Sequence, residues 1–159
     1  MAKDGNGSSS WVEPTDNKTK SGLGRFAAPK SPYDLWMEAQ DVPIFRDIGV
    51  RRVQDLPMKP WKMMGGNATF IQLFGTEGMW GCHVIEVPGA GALNVVKHIY
   101  EQQYFVVEGR GSTEVWEEGR EDKVHTFEWQ QGSLFSLPLN ACYRIVNAAS
   151  SPAMLLGGN

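Results

Sequence analysis

The chain has 159 residues, of which 42% are hydrophobic and 21% are charged, and its formal net charge is -3. This length and composition indicate one globular domain with its own core, and they exclude an intrinsically disordered chain. The weakly acidic balance gives no electrostatic reason to expect nucleic acid or an anionic membrane as a partner, and the apolar runs are too short to cross a bilayer.

Residues 1–30 form the first predicted segment, an extended N-terminal arm, and residues 31–159 are predicted to form a single domain. The arm is rich in Gly, Ser and Asn, yet it contains four apolar side chains that a solvated tail does not need: Trp11, Val12, Leu23 and Phe26. Two interpretations stay open, a floppy terminus or an arm that lies over another subunit. The arm lacks the apolar core of a secretory signal, so we expect a cytoplasmic protein.

A short helix is predicted to begin at Ser31. Serine is a good N-cap, proline suits the first helical position, and the acid at Asp34 suits the first turn. Apolar and polar side chains then recur at helical spacing, and Pro43 limits the helix to about two or three turns. We expect this helix to be a packing element rather than a site.

From Ile44 onwards the sequence contains only strand signals. Short apolar segments alternate with Gly and Pro at intervals of about 8–12 residues, which predicts an all-β sandwich or barrel. At the centre, Val95 and Val96 open a predicted strand that carries His98, and residues 104–107 form the next strand. Cys82 and Cys142 lie inside apolar strand-like runs, where buried free thiols are expected.

Two stretches, residues 88–111 and 132–147, resemble the two signature motifs of the cupin superfamily, whose small β-barrels usually hold a metal on three histidines and a glutamate. Gly109, Gly132, Pro138 and Asn147 match the motifs. The leading glycine of the first motif falls on Ala90, and the glycine after the proline falls on Asn140. The resemblance covers about residues 67–157 and implies a single cupin barrel, preceded here by the arm and the short helix.

The positions that would ligate the metal are almost all changed. Counted from Gly109 and along the second motif, they are Val96, His98, Gln102 and Tyr143. Iron(II) sites of the oxygenase kind prefer two histidines and a carboxylate, whereas a phenol must first lose its proton. Glu101 lies one residue off the carboxylate register and points the other way on a regular strand. We therefore expect a vestigial site or pocket, with no metal and no catalytic residue in this chain.

The surviving polar side chains have structural interpretations. We expect His98 to be hydrogen-bonded inside the barrel, to Gln102 or Tyr143, and Tyr143 to fill the space of a metal and its water. His83 follows Cys82 on a strand, so the two side chains point to opposite faces and cannot act as a nucleophile and its base. His125 follows a polar hairpin tip and is expected at the surface.

The longer pattern, including KPW, ATFIQLFGTEG and HIYEQQYFVVEGRGSTEVW, resembles the N-terminal half of double-barrel cupins related to aromatic ring-cleaving dioxygenases. In its size, missing ligands and apolar arm, the chain resembles the small subunit of a split version of that arrangement, the two-component hydroquinone 1,2-dioxygenases. The resemblance implies a metal-free subunit that walls the pocket of a larger, Fe(II)-binding cupin subunit in a hetero-oligomer, with a small aromatic substrate. Two alternatives stay open. One is a stand-alone cupin that binds a small organic ligand without metal through His98, Gln102 and Tyr143. The other is a metal enzyme that uses His98 and Tyr143.

Overall fold

The computed structural model of the protein describes residues 31–76 and 79–159; the predicted arm, residues 1–30, lies outside the described residues. This part contains one α-helix, α1 (Pro32–Ala39), and a 3-10 turn (Val53–Asp55). The strands in chain order are β1 (Ile44–Asp47), β2 (Lys59–Trp61), β3 (Gly66–Leu73), β4 (Cys82–Val87), β5 (Gly91–Ala92), β6 (Val96–Lys97), β7 (Gln102–Glu108), β8 (Arg110–Trp116), β9 (His125–Gln130), β10 (Leu134–Leu137), β11 (Cys142–Asn147) and β12 (Ala153–Gly158). Neither described helix is long and apolar enough to span a membrane.

The strands form two sheets. The larger has the order β1-β3-β4-β12-β7-β10, with β2 paired to β3, and the smaller has the order β5-β11-β8-β9, with β6 beside β11. Within the described residues, β1 and β3 run parallel and the other pairs are antiparallel. The late strand β12 lies between β4 and β7 in the larger sheet.

The main core lies between the inward faces of the two sheets, because side chains alternate along each strand. In β7 the alternation is complete at its start, where Gln102 and Tyr104 are buried while Gln103 and Phe105 are exposed. In β11 the buried set includes Tyr143, Ile145 and Asn147. The predicted all-β fold is confirmed.

Helix α1 begins as predicted. The Ser31 hydroxyl accepts a hydrogen bond from the Asp34 amide, and the Asp34 carboxylate accepts one from the Ser31 amide, which completes a capping box. Trp36 then packs against Trp61 and Phe70, with ring centroids 6.1 and 5.5 Å away. The helix is therefore fixed at its N-terminus by polar contacts and along its side by aromatic packing.

The predicted strand from Val95 through His98 is wrong in its extent. Strand β6 contains only Val96 and Lys97, so Val95 precedes it and His98 follows it. Before the strand, the Asn94 amide donates to Met64 O and its side chain donates to other carbonyls of the same loop, which ties this residue away from β11. After the strand, the chain bends away from β11, so that β6 and β11 share only two residue pairs.

The outward face of the larger sheet carries one apolar row across four strands, which we call the apolar row: Leu134, Phe105, Leu156 and Val84. Leu134 pairs with Phe105, Phe105 with Leu156, and Leu156 with Val84. Val84 is fully buried in a second cluster, against which hydrophobic side chains of residues 50–58 pack. At the other end, Leu134 is 67% exposed and Phe105 is 43% exposed.

Candidate functional site

The backbone keeps the turn geometry of both motifs, even where the glycines are changed. Gly109 and Gly132 have φ values of 93° and 86°, in the left-handed region that favours glycine. Ala90 and Asn140, which replace motif glycines, also have positive φ values, of 50° and 65°. Positive φ is uncommon for residues with a Cβ, so these values support the placement of the motifs on the chain.

The four vestigial positions are brought only partly together. Val96 pairs with Tyr143 across β6 and β11, and the ring of His98 lies 5.6 Å from the ring of Tyr143. Gln102 is buried at the start of β7, but its amide donates to the carbonyls of Gly158 and Gln103, at 2.9 and 3.1 Å. Its side chain is therefore engaged by the backbone.

The predicted hydrogen bond of His98 to Gln102 or Tyr143 is wrong. Nδ1 of His98 is shielded from solvent and has no hydrogen-bond partner among the described residues. The ring instead makes aromatic contacts, with the centroids of the Tyr100 and Tyr143 rings 4.6 and 5.6 Å away. The Gln102 amide nitrogen donates instead to two main-chain carbonyls.

Two residues that the sequence analysis did not place in the site, His83 and Tyr104, complete it. His83 Nε2 lies 3.4 Å from the Tyr104 hydroxyl, which lies 3.5 Å from the Tyr143 hydroxyl. We call His83, Tyr104 and Tyr143 the polar chain. The sequence could have indicated this for His83, because alternate residues of a strand share a face and Ile85 and Val87 belong to the main core. Cys82 belongs to the second cluster, on the opposite face of the strand.

Burial keeps these groups uncharged near neutral pH. Desolvation lowers the pKa of His83 to about 4, and the nearby His98 acts in the same direction. Desolvation also lowers the pKa of His98. The pKa values of Tyr104 and Tyr143 are both raised, chiefly by burial. The interior therefore holds neutral imidazoles and protonated phenols.

These residues do not fit the metal that cupin barrels usually hold. Val96 has a hydrocarbon side chain, Gln102 offers a neutral amide in place of a carboxylate, and burial raises the pKa of Tyr143, so that it resists the deprotonation that would make it a ligand. Within residues 31–76 and 79–159, no group of three or more His, Cys, Asp or Glu side chains is placed to hold a metal ion. The donor set lacks a carboxylate to balance an iron(II) ion.

A cavity of about 450 Å³ lies beside His98, and we call it the aromatic cavity. Its lining comes from α1, the β2–β3 turn and the segment around β6: Tyr33, Trp36, Met63, Val96, Lys97, His98, Ile99 and Tyr100. Tyr33 and Trp36 are stacked, with centroids 5.5 Å apart and planes 20° apart. A larger surface depression, of about 770 Å³, includes Arg110 and Gln130 and touches none of the four vestigial positions.

No protein-family model matches the sequence, and neither does any curated protein. Solved structures do match. They include oxalate decarboxylase of Lactobacillus farciminis, at a TM-score of 0.55 and 20% identity over 67% of this chain and 31% of that one. They also include the cupin domain of Drosophila melanogaster CENP-C, at a TM-score of 0.54 and 15% identity over 89% of this chain and 91% of that one. A third is the cupin domain of Schizosaccharomyces pombe Cnp3, at a TM-score of 0.50 and 18% identity over 67% of this chain and 69% of that one.

The chain has the cupin fold. The resemblance predicted from the two motifs is thus confirmed at the level of the barrel. The chain spans about a third of the length of the oxalate decarboxylase that it matches. Similarity at these identities defines the fold alone, and a cupin barrel does not by itself determine an activity.

Proposed function

We propose that this cupin chain is the metal-free small subunit of a heteromeric Fe(II)-dependent ring-cleaving dioxygenase of the hydroquinone 1,2-dioxygenase type. One observation carries the proposal: the backbone turns of both motifs persist at Ala90 and Asn140, while the ligand positions hold a donor set that does not fit iron. In our proposal, this barrel keeps the cupin shape without holding a metal. The sequence pattern of residues 59–141 resembles the N-terminal half of double-barrel cupins related to such dioxygenases.

In the proposed complex, catalysis belongs to a larger cupin subunit that binds iron(II) and the aromatic substrate. This chain covers a face of that subunit and walls its pocket against water, which strengthens electrostatic interactions inside the pocket. The assembly is a cytoplasmic heterotetramer in our proposal.

The apolar row supports a protein partner. Leu134 and Phe105 are large apolar side chains at its exposed end, 67% and 43% accessible, and the row contains no charged residue. Burial of apolar surface contributes about 25 cal/mol per Å², and obligate interfaces are large and apolar. We therefore propose that the larger subunit covers the end of the row on β10 and β7.

The first experiment measures metal. The full chain is expressed alone, incubated anaerobically with iron(II), desalted, and assayed for bound iron and for cleavage of hydroquinone. We expect iron far below one ion per chain and no ring cleavage. Stoichiometric iron together with ring cleavage by the isolated chain would contradict the proposal and favour the metal enzyme built on His98 and Tyr143.

The second experiment tests the interface by co-expression with a candidate larger cupin subunit. Phe105→Lys should abolish copurification, because it buries a charge in the apolar contact. Val124→Lys is the matched control, since Val124 has the same exposure of 43% but lies outside the row. Retention of the partner by Phe105→Lys would show that the interface lies elsewhere.

The aromatic cavity favours a second candidate, a stand-alone cupin that binds a small organic molecule. Of the three side chains expected to fix such a ligand, His98 lines the cavity, whereas Gln102 and Tyr143 do not. A stable homodimer that ignores every larger cupin subunit in the co-expression experiment would support this candidate over the dioxygenase subunit.

A further inference from the structure

We propose that the aromatic cavity is a binding site for a small uncharged phenol, and that it works without metal and without a partner subunit. The inference goes beyond the subunit role, in which this chain only covers and walls the partner, and it names a ligand class for the cavity that favours the second candidate function. It assigns the site to α1 and to the chain around β6, and the lining includes two of the four vestigial positions, Val96 and His98.

The cavity has room for a small aromatic molecule, and its lining is largely aromatic and apolar. Its volume of about 450 Å³ lies in the usual range of small-molecule sites. Tyr33 and Trp36 contribute a nearly parallel pair of rings to the lining, and Tyr100 contributes another ring. Aromatic side chains hold a planar ligand by offset stacking or edge-to-face contact. Met63 and Ile99, which are 37% and 87% exposed, add flexible and apolar surface.

His98 supplies the polar group that gives such a ligand its orientation. It lines the cavity, and its Nδ1 has no hydrogen-bond partner among the described residues. Buried polar atoms without a partner are rare, and one beside a cavity indicates a group that a ligand can satisfy. A neutral imidazole has one acceptor nitrogen, which a phenolic hydroxyl can engage as donor. Because Nδ1 is shielded from solvent in this structure, the ring of His98 must turn toward the cavity to make that bond.

The charges around the cavity favour a neutral ligand over a carboxylate. Lys97 is the cation in the described lining, and its Nζ is 2.6 Å from the Glu118 carboxylate. An anionic ligand would therefore have to compete with Glu118 for this ammonium group. Among the residues that the structure describes, none in the lining has a carboxylate that would hold a cationic ligand. An uncharged ring with a hydroxyl meets neither obstacle.

The test uses the full chain and two fluorinated probes, 4-fluorophenol and 4-fluorobenzoate, followed by fluorine NMR titration at neutral pH. We expect saturable binding of 4-fluorophenol and about tenfold weaker binding of 4-fluorobenzoate. Tyr100→Ala and His98→Leu should each weaken phenol binding about tenfold, as expected for the loss of one aromatic contact or one hydrogen bond. Phe105→Ala is the matched control, because it removes an exposed ring from the apolar row and should leave phenol binding unchanged.

Three results would overturn the inference: no saturable binding of 4-fluorophenol by the folded chain, equal binding of 4-fluorobenzoate, or unchanged binding in both cavity variants. Far-UV circular dichroism and thermal unfolding confirm that each variant is folded before it is titrated. The two proposals fail separately. Absence of phenol binding together with copurification of a larger cupin subunit would reject the cavity site alone. Phenol binding by the chain together with failure to copurify any larger cupin subunit would reject the subunit role alone.

Discussion

His83, Tyr104 and Tyr143 fill the barrel interior with polar rings that contact one another at hydrogen-bond distances near the upper limit, 3.4 and 3.5 Å. All three are almost fully buried. A polar group in such a place must remain uncharged or be compensated, and no ionised partner contacts the polar chain among the described residues. The pKa of the imidazole therefore falls and the pKa values of the phenols rise.

His83 should make the stability of the protein dependent on acidity. Above pH 6.5 the imidazole of His83 is neutral in the folded and in the unfolded protein. Between pH 6.5 and about 4 it binds a proton only in the unfolded protein. The free energy of unfolding should therefore decrease as pH falls through this window, by about 3 kcal/mol from this residue. In His83→Gln, which keeps a polar partner for Tyr104, that part of the decrease should vanish. Urea titrations of both proteins between pH 7 and pH 4 measure the difference; parallel curves would show that His83 is not the cause.

Period-two alternation in the sequence was enough to predict that Tyr143 faces inward and that His83 and Cys82 lie on opposite faces. It could not predict the partners of these groups. The amide of Gln102 finds the carbonyl of Gly158, 56 positions along the chain, because β12 is the neighbour of β7. Strand neighbours depend on tertiary packing, so the hydrogen bond expected for His98 could not be judged from the sequence.

At the scale of the element, the helix was predictable and the short strands were not. The capping box at Ser31 and Asp34 is a local interaction, and local signals specify it. Strand β6 has two residues, and its ends depend on where Asn94 and His98 are held by distant backbone groups. The parallel pairing of β1 with β3 likewise has no local signal in the sequence.

Strand β12 offers a test of how tightly the interior is packed. A Cβ added at Gly157 would lie 2.5 Å from two ring atoms of His83 and 2.8 Å from Tyr104, whereas one added at Gly158 would lie 3.0 Å from Trp80. Trp80 is 41% exposed and can shift, but the buried rings cannot. Gly157→Ala should lower the free energy of unfolding by about 1–3 kcal/mol. Gly158→Ala, the adjacent control, should change it far less. Equal effects in urea titrations would contradict the packing described.

At the scale of the whole molecule, the proposed complex should depend on apolar contact rather than on charge. The net charge is only -3, and the apolar row carries no ionisable side chain. Raising the salt concentration to about 1 M shortens the screening length to about 3 Å, which weakens ion pairs but not apolar burial. We expect the two subunits to stay together in size-exclusion chromatography at this salt concentration. Dissociation there would indicate an electrostatic interface instead.

The place of β12 in the larger sheet also bears on how the protein is made. Its two neighbours, β4 and β7, are synthesised long before it, and neither can complete its pairing until Ala153–Gly158 has left the ribosome. Until then their edges and the apolar side chains between them are open to other nascent chains. Contacts so distant in sequence form slowly, so the polypeptide should need protection by chaperones during translation.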